Sequence, residues 1–233
     1  VFAERFRDTP GHPYENGFDL RLVPERLGDP LQRKKPALVF VNSMSDLFHE
    51  GIPDDYLDRC FAVMDLAKQH TYQILTKRSR RMVEYLSERY RKVPDHIWCG
   101  VSVEDVKYGV PRIANLRKTP ARMRFLSIEP LLEDLCELNL SGIGWVIVGA
   151  ESGRNARPMK LAWVEAIKRQ CDRREVPFFM KQWCLNGKPL HVSRWPPWSR
   201  VRMMPDGSDL FDSAPSPSKG QLIIPLATVE DTR

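Results

Sequence analysis

Six short runs rich in apolar and β-branched residues recur along the chain, each followed by a polar turn and usually by a helical pattern. They occupy residues 37–42, 71–76, 97–103, 122–128, 144–149 and 176–182. Stretches such as Leu38-Val39-Phe40-Val41 and Trp145-Val146-Ile147-Val148 are continuously apolar, which suits strands covered on both faces. The segments between them read as helices. Pro53-Asp54-Asp55 opens one, with Leu57, Phe61 and Met64 on a single face. Residues 79–90 form another around Met82 or Val83, Leu86 and Tyr90. Residues 104–116 align Val106, Val110, Ile113 and Leu116, with a kink expected at Pro111, and residues 161–174 align Val164, Ile167 and Cys171. Strands alternating with helices at this spacing form right-handed βαβ units and a parallel sheet. The expected fold is therefore α/β: a partial (β/α) barrel of about six parallel strands over residues 37–183. Residues 1–36 are irregular and are expected to wrap the barrel wall. Residues 184–233 read as an irregular Pro/Ser-rich tail, flexible in its distal part, with Leu222-Ile223-Ile224 available as a short edge strand.

A chain of 233 residues with 42 % hydrophobic content can bury one sizeable core. Nothing approaches the roughly 18 consecutive apolar residues of a membrane span, and no charged-then-apolar leader opens the chain. A cytoplasmic protein without a membrane partner is expected. Cys60, Cys99, Cys136, Cys171 and Cys184 are odd in number, scattered and free of any CxxC pair. That argues against a disulfide framework and against a self-contained zinc or iron–sulfur site. Lys plus Arg exceed Asp plus Glu by 36 to 30, a net charge of +6. An evenly solvated surface explains much of the excess. Still, Arg154, Arg157, Lys160, Lys168, Arg169, Arg173 and Arg174 crowd into one segment, which leaves room for a phosphate-bearing partner, nucleic acid or small anion. The histidines lack the spacing of a catalytic triad, and His49 and His70 are expected at the surface.

In parallel α/β folds, ligands bind beyond the carboxyl ends of the strands. Those positions hold Asn42, Ser43 and Asp46 after the first run, then Lys77 and Arg78 after the second. The next four runs supply Ser102 and Glu104, Ser127 and Glu129, Glu151 and Ser152, and Lys181 and Gln182. Taken singly, each is explained as a helix cap, a dipole partner or a solvated charge. Taken together, they end all six strands in polar groups, with glutamates converging on Lys77, Arg78 and Lys181 at one barrel mouth. Such a network is partly desolvated and suited to holding a small polar molecule or a nucleotide. Gly149-Ala150-Glu151-Ser152-Gly153 also lets a ligand approach the backbone closely, although it matches neither the phosphate-loop nor the dinucleotide fingerprint. Trp183 is expected either to seal the barrel end or to face the ligand.

Several strings together resemble a known family. They are Phe2-Ala3-Glu4-Arg5-Phe6, Phe40-Val41-Asn42-Ser43-Met44-Ser45-Asp46-Leu47-Phe48, Leu75-Thr76-Lys77-Arg78 and Trp98-Cys99-Gly100-Val101-Ser102-Val103-Glu104. Leu126-Ser127-Ile128-Glu129-Pro130-Leu131, Val148-Gly149-Ala150-Glu151-Ser152-Gly153 and Phe179-Met180-Lys181-Gln182-Trp183 complete the set. The resemblance is to a phage- and prophage-associated family of unknown function, the phage gene-product thirty-seven/sixty-eight family, which looks like a relative of radical S-adenosylmethionine enzymes. It implies S-adenosylmethionine and a [4Fe–4S] cluster as cofactors of a full-length form. It also implies a first strand and three cluster-binding cysteines upstream of Val1, so the edge beside residues 37–42 is expected to be open or covered only by the N-terminal segment. The cysteines present have the wrong spacing to replace those three, and no iron is expected to bind this chain. The same resemblance places Asp46 where an acidic residue meets the methionyl amine, and residues 144–151 where a strand contacts adenine.

Three functions follow as expectations. The first is a radical S-adenosylmethionine-like enzyme of unknown substrate. The second is a cluster-free module that binds a nucleotide or nucleic-acid phosphate. The third is an inactive remnant of a mobile element.

Overall fold

The computed structural model describes residues 3–11, 15, 17, 19–42, 45–208, 221–224 and 227–228. In chain order these form β1 (Arg21–Leu22), α1 (Asp29–Gln32), β2 (Leu38–Val41), α2 (Asp54–Leu66), β3 (Thr71–Thr76), α3 (Ser79–Arg89) and β4 (Ile97–Ser102). There follow α4 (Val110–Leu116), β5 (Arg124–Ile128), β6 (Trp145–Gly149), α5 (Leu161–Arg173), β7 (Phe178–Gln182), β8 (Cys184–Leu185), β9 (Lys188–Pro189), β10 (Gln221–Ile224) and β11 (Ala227–Thr228). The main sheet runs in the order β10-β2-β3-β4-β5-β6-β7. The six runs read from the sequence are thus six neighbouring strands, β2 to β7, in sequence order. The fold is α/β, of the partial (β/α) barrel class. The chain divides into two compact units, one of Val1–Cys99, Pro120–Arg122 and Ser218–Arg233, the other of Gly100–Thr119 and Met123–Pro217.

In the first unit β2 pairs in parallel with β3, Leu38 opposite Thr71 and Val41 opposite Ile74. Helix α2 buries Leu57, Cys60, Phe61 and Met64, and α3 buries Met82, Tyr85 and Leu86. The rings of Phe61 and Tyr85 meet at 5.3 Å, and those of Phe48 and Tyr85 at 5.9 Å. Each fully buried side chain of this kind contributes about 1.5–3 kcal/mol. The edge beside β2 departs from expectation. It carries β10, paired in parallel with Gln221 opposite Leu38 and Ile224 opposite Val41, while β11 pairs antiparallel with β1. An edge strand offers a row of unpaired backbone groups, and the apolar C-terminal run satisfies them. His70 is also a correction, being buried at 1 % exposure. Its Nδ1 accepts the Ala37 amide at 3.1 Å, so Nε2 carries the proton and faces the Pro30 carbonyl at 3.0 Å. The ring clips α1 to the start of β2.

In the second unit β5, β6 and β7 are parallel, with Phe125 opposite Trp145 and Val146 opposite Phe178. Helix α4 is shorter than the pattern suggested. It begins at Val110 and takes Pro111 into its first turn, where a missing N–H costs nothing, so there is no kink. The preceding residues turn around Asp105, whose carboxylate accepts the Tyr108 and Gly109 amides, and Val106 is exposed. The outer side of β7 is covered by residues 201–203. The Met180 amide donates to the Val201 carbonyl and the Met203 amide to the Phe178 carbonyl. Trp195 and Ser199 of the same segment are buried, and the buried Trp183 donates its indole N–H to Ser199. The distal residues 209–220, expected to be flexible, lie outside the described residues. Among the described residues no helix is long and apolar enough to cross a membrane.

Candidate functional site

The strand-end residues of the first unit form a clamp around Asp46. One carboxylate oxygen accepts the Thr76 hydroxyl at 2.6 Å and the Phe48 amide at 2.9 Å. The other accepts the Lys77 amide at 2.9 Å and the Arg78 guanidinium at 3.1 Å. Arg78 turns its Nε to Glu50 at 2.8 Å. Burial is the largest influence on the Glu50 carboxyl and acts to raise it, but the Arg78 hydrogen bond, a backbone hydrogen bond and the Arg78 charge together outweigh it and the net shift is downward. Burial likewise lowers Arg78, and its two carboxylate partners reverse the sign. Asp46 thereby ties the loop after β2 to the start of α3. Asn42 ends β2 buried and in the left-handed region, φ 58, a conformation asparagine tolerates better than most residues. Ser43 lies outside the described residues.

The second unit brings together the remaining strand ends. Glu129, two residues beyond Ser127, accepts a hydrogen bond from Lys181 at 2.7 Å. A Cβ at Gly149 would lie 3.1 Å from the Glu129 carboxyl, so a bare backbone on β6 is what lets this carboxylate lie flat beside the strand. Glu104 is buried and takes the Arg112 guanidinium at 2.7 Å, and Arg112 also donates to the Ser102 carbonyl at 2.8 Å. Glu151 is gripped by Arg157 through both carboxylate oxygens, at 2.7 and 2.9 Å, and also accepts the Arg157 amide. The Glu151 hydrogen bonds raise the Arg157 guanidinium against partial desolvation, with smaller contributions from the charges of Glu151 and Glu104. Glu104, Arg112, Glu151 and Arg157 are therefore one alternating charge cluster.

Around it the backbone is fixed by short contacts. Gln182 donates its amide to the Ala150 carbonyl at 2.7 Å and accepts the Ala150 amide on its own carbonyl. The Gly153 amide donates to Gly187, the turn residue of the β8–β9 hairpin. A Cβ at Gly187 would overlap the Gly153 carbonyl. Ser152 is exposed. Cys184 sits close enough to Glu129 to feel its charge: burial first, then Glu129, push its thiol up.

Sequence reasoning named the carboxylates but missed several of their partners. Arg112 lay inside a presumed helix face, and Arg157 was counted only in a basic surface segment. Much of that segment is internally paired, through Arg157–Glu151, Lys168–Asp172, Arg169–Glu165 and Arg173–Glu137. Thr76 was visible only as part of the Leu75-Thr76-Lys77-Arg78 string, and Glu50 had no signal beyond its nearness in sequence to Asp46.

The cysteines do not fit a three-thiolate cluster. Cys60 is on α2, Cys99 on β4 and Cys171 on α5, all buried, while Cys136 is exposed and Cys184 belongs to β8. The described residues hold no group of three or more His, Cys, Asp or Glu placed to hold a metal ion. A family model described as "Protein of unknown function (DUF5131)" matches residues 1–201. No curated protein matches the chain, and no solved structure does.

Proposed function

The chain belongs to the DUF5131 family of proteins of unknown function, and from the sequence resemblance and the strand-end carboxylates we propose an S-adenosylmethionine-binding enzyme barrel, cytoplasmic and phage-associated. Its ligand sits at the strand ends of the Gly100–Thr119 and Met123–Pro217 unit. The observation that carries this reading is the Glu129–Lys181 pair: Glu129 keeps 17 % side-chain exposure and Lys181 keeps 55 %. An ion pair with one exposed partner is held weakly, so a ligand ammonium can take the place of Lys181 on Glu129, and the freed Lys181 can meet the ligand carboxylate. Glu151 offers a second such carboxylate, with Arg157 at 48 % side-chain exposure. The Glu104–Arg112 pair, at 10 and 17 %, stays closed and holds the cluster in shape. Asp46, already taken by four donors, serves as a clamp in this reading. The radical type rests on the sequence resemblance alone, and no reaction step is assigned to these residues. Calorimetric titration with S-adenosylmethionine tests the proposal. Wild type is expected to bind, and Glu129→Gln to bind about tenfold more weakly, the loss of one charge-assisted hydrogen bond. Absence of wild-type binding at millimolar ligand rejects the reading.

A second reading, a phosphate-binding module, is favoured by Arg154 and Arg174. Both are exposed and form no ion pair among the described residues. It requires single-stranded oligonucleotide binding that weakens steeply with salt, and loses that slope on Arg154→Ala and Arg174→Ala.

A further inference from the structure

Ser102 and Ser127 lie side by side on one face of β4 and β5. A Cβ at Gly100 would overlap the Phe125 ring, so residues 100 and 125 share a face. Strands alternate their side chains with period two, so Ser102 and Ser127 follow on that same face. The Val103 amide donates to the Ser127 carbonyl at 2.9 Å, which sets the parallel register so that Ser102 is opposite Ser127. Ile147 of β6 is the next neighbour across. Beneath the serines is an aromatic layer, with the rings of Phe125 and Trp145 at 6.0 Å. Beyond them, two residues on, Glu129 pairs with Lys181.

Both serines are 6 % exposed. Their carbonyls are used, by Arg112 and by Val103, but among the described residues neither hydroxyl has a hydrogen-bond partner. Neither Oγ is among the fully buried side-chain atoms that lack a partner, so each hydroxyl keeps an opening, between an aromatic floor and a charged rim, through which a ligand atom can reach it.

We propose that Ser102 and Ser127 form a paired-hydroxyl subsite for the neutral amide edge of a ligand, its C=O accepting from one hydroxyl and its N–H donating to the other. A hydroxyl donates and accepts, so a group that presents a donor and an acceptor together satisfies both serines at once. A carboxylate there would lie under the Glu129 charge, and a cation would be drawn to Glu129 itself. The inference rests on the reading above only for the rim it shares, and its test uses no S-adenosylmethionine, so failure of either leaves the other distinguishable.

The test has two arms. In the ligand-free protein Ser102→Ala, Ser127→Ala and the double variant are compared by thermal unfolding. Alanine in place of hydroxyls that bond nothing in the protein leaves the melting temperature within about 2 °C of wild type or raises it. A melting temperature lowered by more than about 2 °C shows that the hydroxyls are structurally engaged and overturns the proposal. In the second arm nicotinamide, nicotinate and ribose are titrated and followed by ligand-detected NMR. Nicotinamide binds wild type and weakens about tenfold per alanine, with nicotinate weaker than nicotinamide throughout. Preference for nicotinate or for ribose, nicotinamide binding unaffected by the double variant, or no nicotinamide binding at tens of millimolar overturns the amide assignment.

Discussion

Asp46 and Glu129 are both strand-end carboxylates, yet they occupy opposite situations. Asp46 is buried with its oxygens filled by Thr76, Phe48, Lys77 and Arg78, whereas Glu129 faces one half-exposed lysine. Asp46→Asn keeps the shape but turns an acceptor into a donor against donors, and is expected to cost about 1–3 kcal/mol in urea unfolding. Glu129→Gln is expected to cost less than about 1 kcal/mol. The thiols divide in the same way. Burial pushes Cys60 up to about 12, and burial with the nearby Asp172 charge does the same for Cys171, leaving almost no thiolate at neutral pH. Iodoacetamide on the native protein is expected to label Cys136 first and Cys184 slowly, with Cys60, Cys99 and Cys171 labelled only on unfolding. Mass spectrometry of the modified peptides checks this order.

At the level of elements, β3 was readable in the sequence to the residue, because Thr71–Thr76 is bounded by polar turns. Helix α2 was readable because Leu57, Phe61 and Met64 repeat at helical spacing. Helix α4 was misread. Val106 falls in phase with Val110 and Ile113, but phase does not reveal that Asp105 would draw the Tyr108 and Gly109 amides into a turn. His70 was misplaced because a lone histidine carries no sign of the backbone groups of Ala37 and Pro30 that enclose it. Likewise Ser102 and Ser127 were named singly; only the register of β4 against β5 makes them a pair. The packing of these strands is tight at Gly100, and Gly100→Ala is expected to destabilise by about 1–3 kcal/mol through overlap with the Phe125 ring. Helices α2 and α3 add an acid sensitivity. The Arg89 hydrogen bond lowers the Asp58 carboxyl, and Glu50 is lowered on balance by Arg78. A depressed carboxyl stabilises the fold fully above its unfolded value and loses that contribution as pH falls through the folded one. Melting temperature is therefore expected to fall below about pH 4.5, near the ordinary carboxyl range, and Asp58→Asn to flatten that slope.

For the whole molecule, the C-terminal run was legible as a strand but its partner was not, since pairing across the length of the chain leaves no local trace. A chain ending at Ser208 loses β10 and bares the edge of Leu38–Val41. It is expected to self-associate with rising concentration in light scattering while the full chain does not. Anaerobic reconstitution with iron and sulfide is expected to leave the 233-residue chain without broad visible absorbance, because its cysteines sit on separate elements. The proposed ligand site is tested most directly by side-chain carboxyl 13C NMR during titration with S-adenosylmethionine. Glu129 and Glu151 should shift as Lys181 and Arg157 yield to the ligand, while Asp46, held by four internal donors, stays fixed. Shifts at Asp46 with Glu129 and Glu151 unmoved would contradict it.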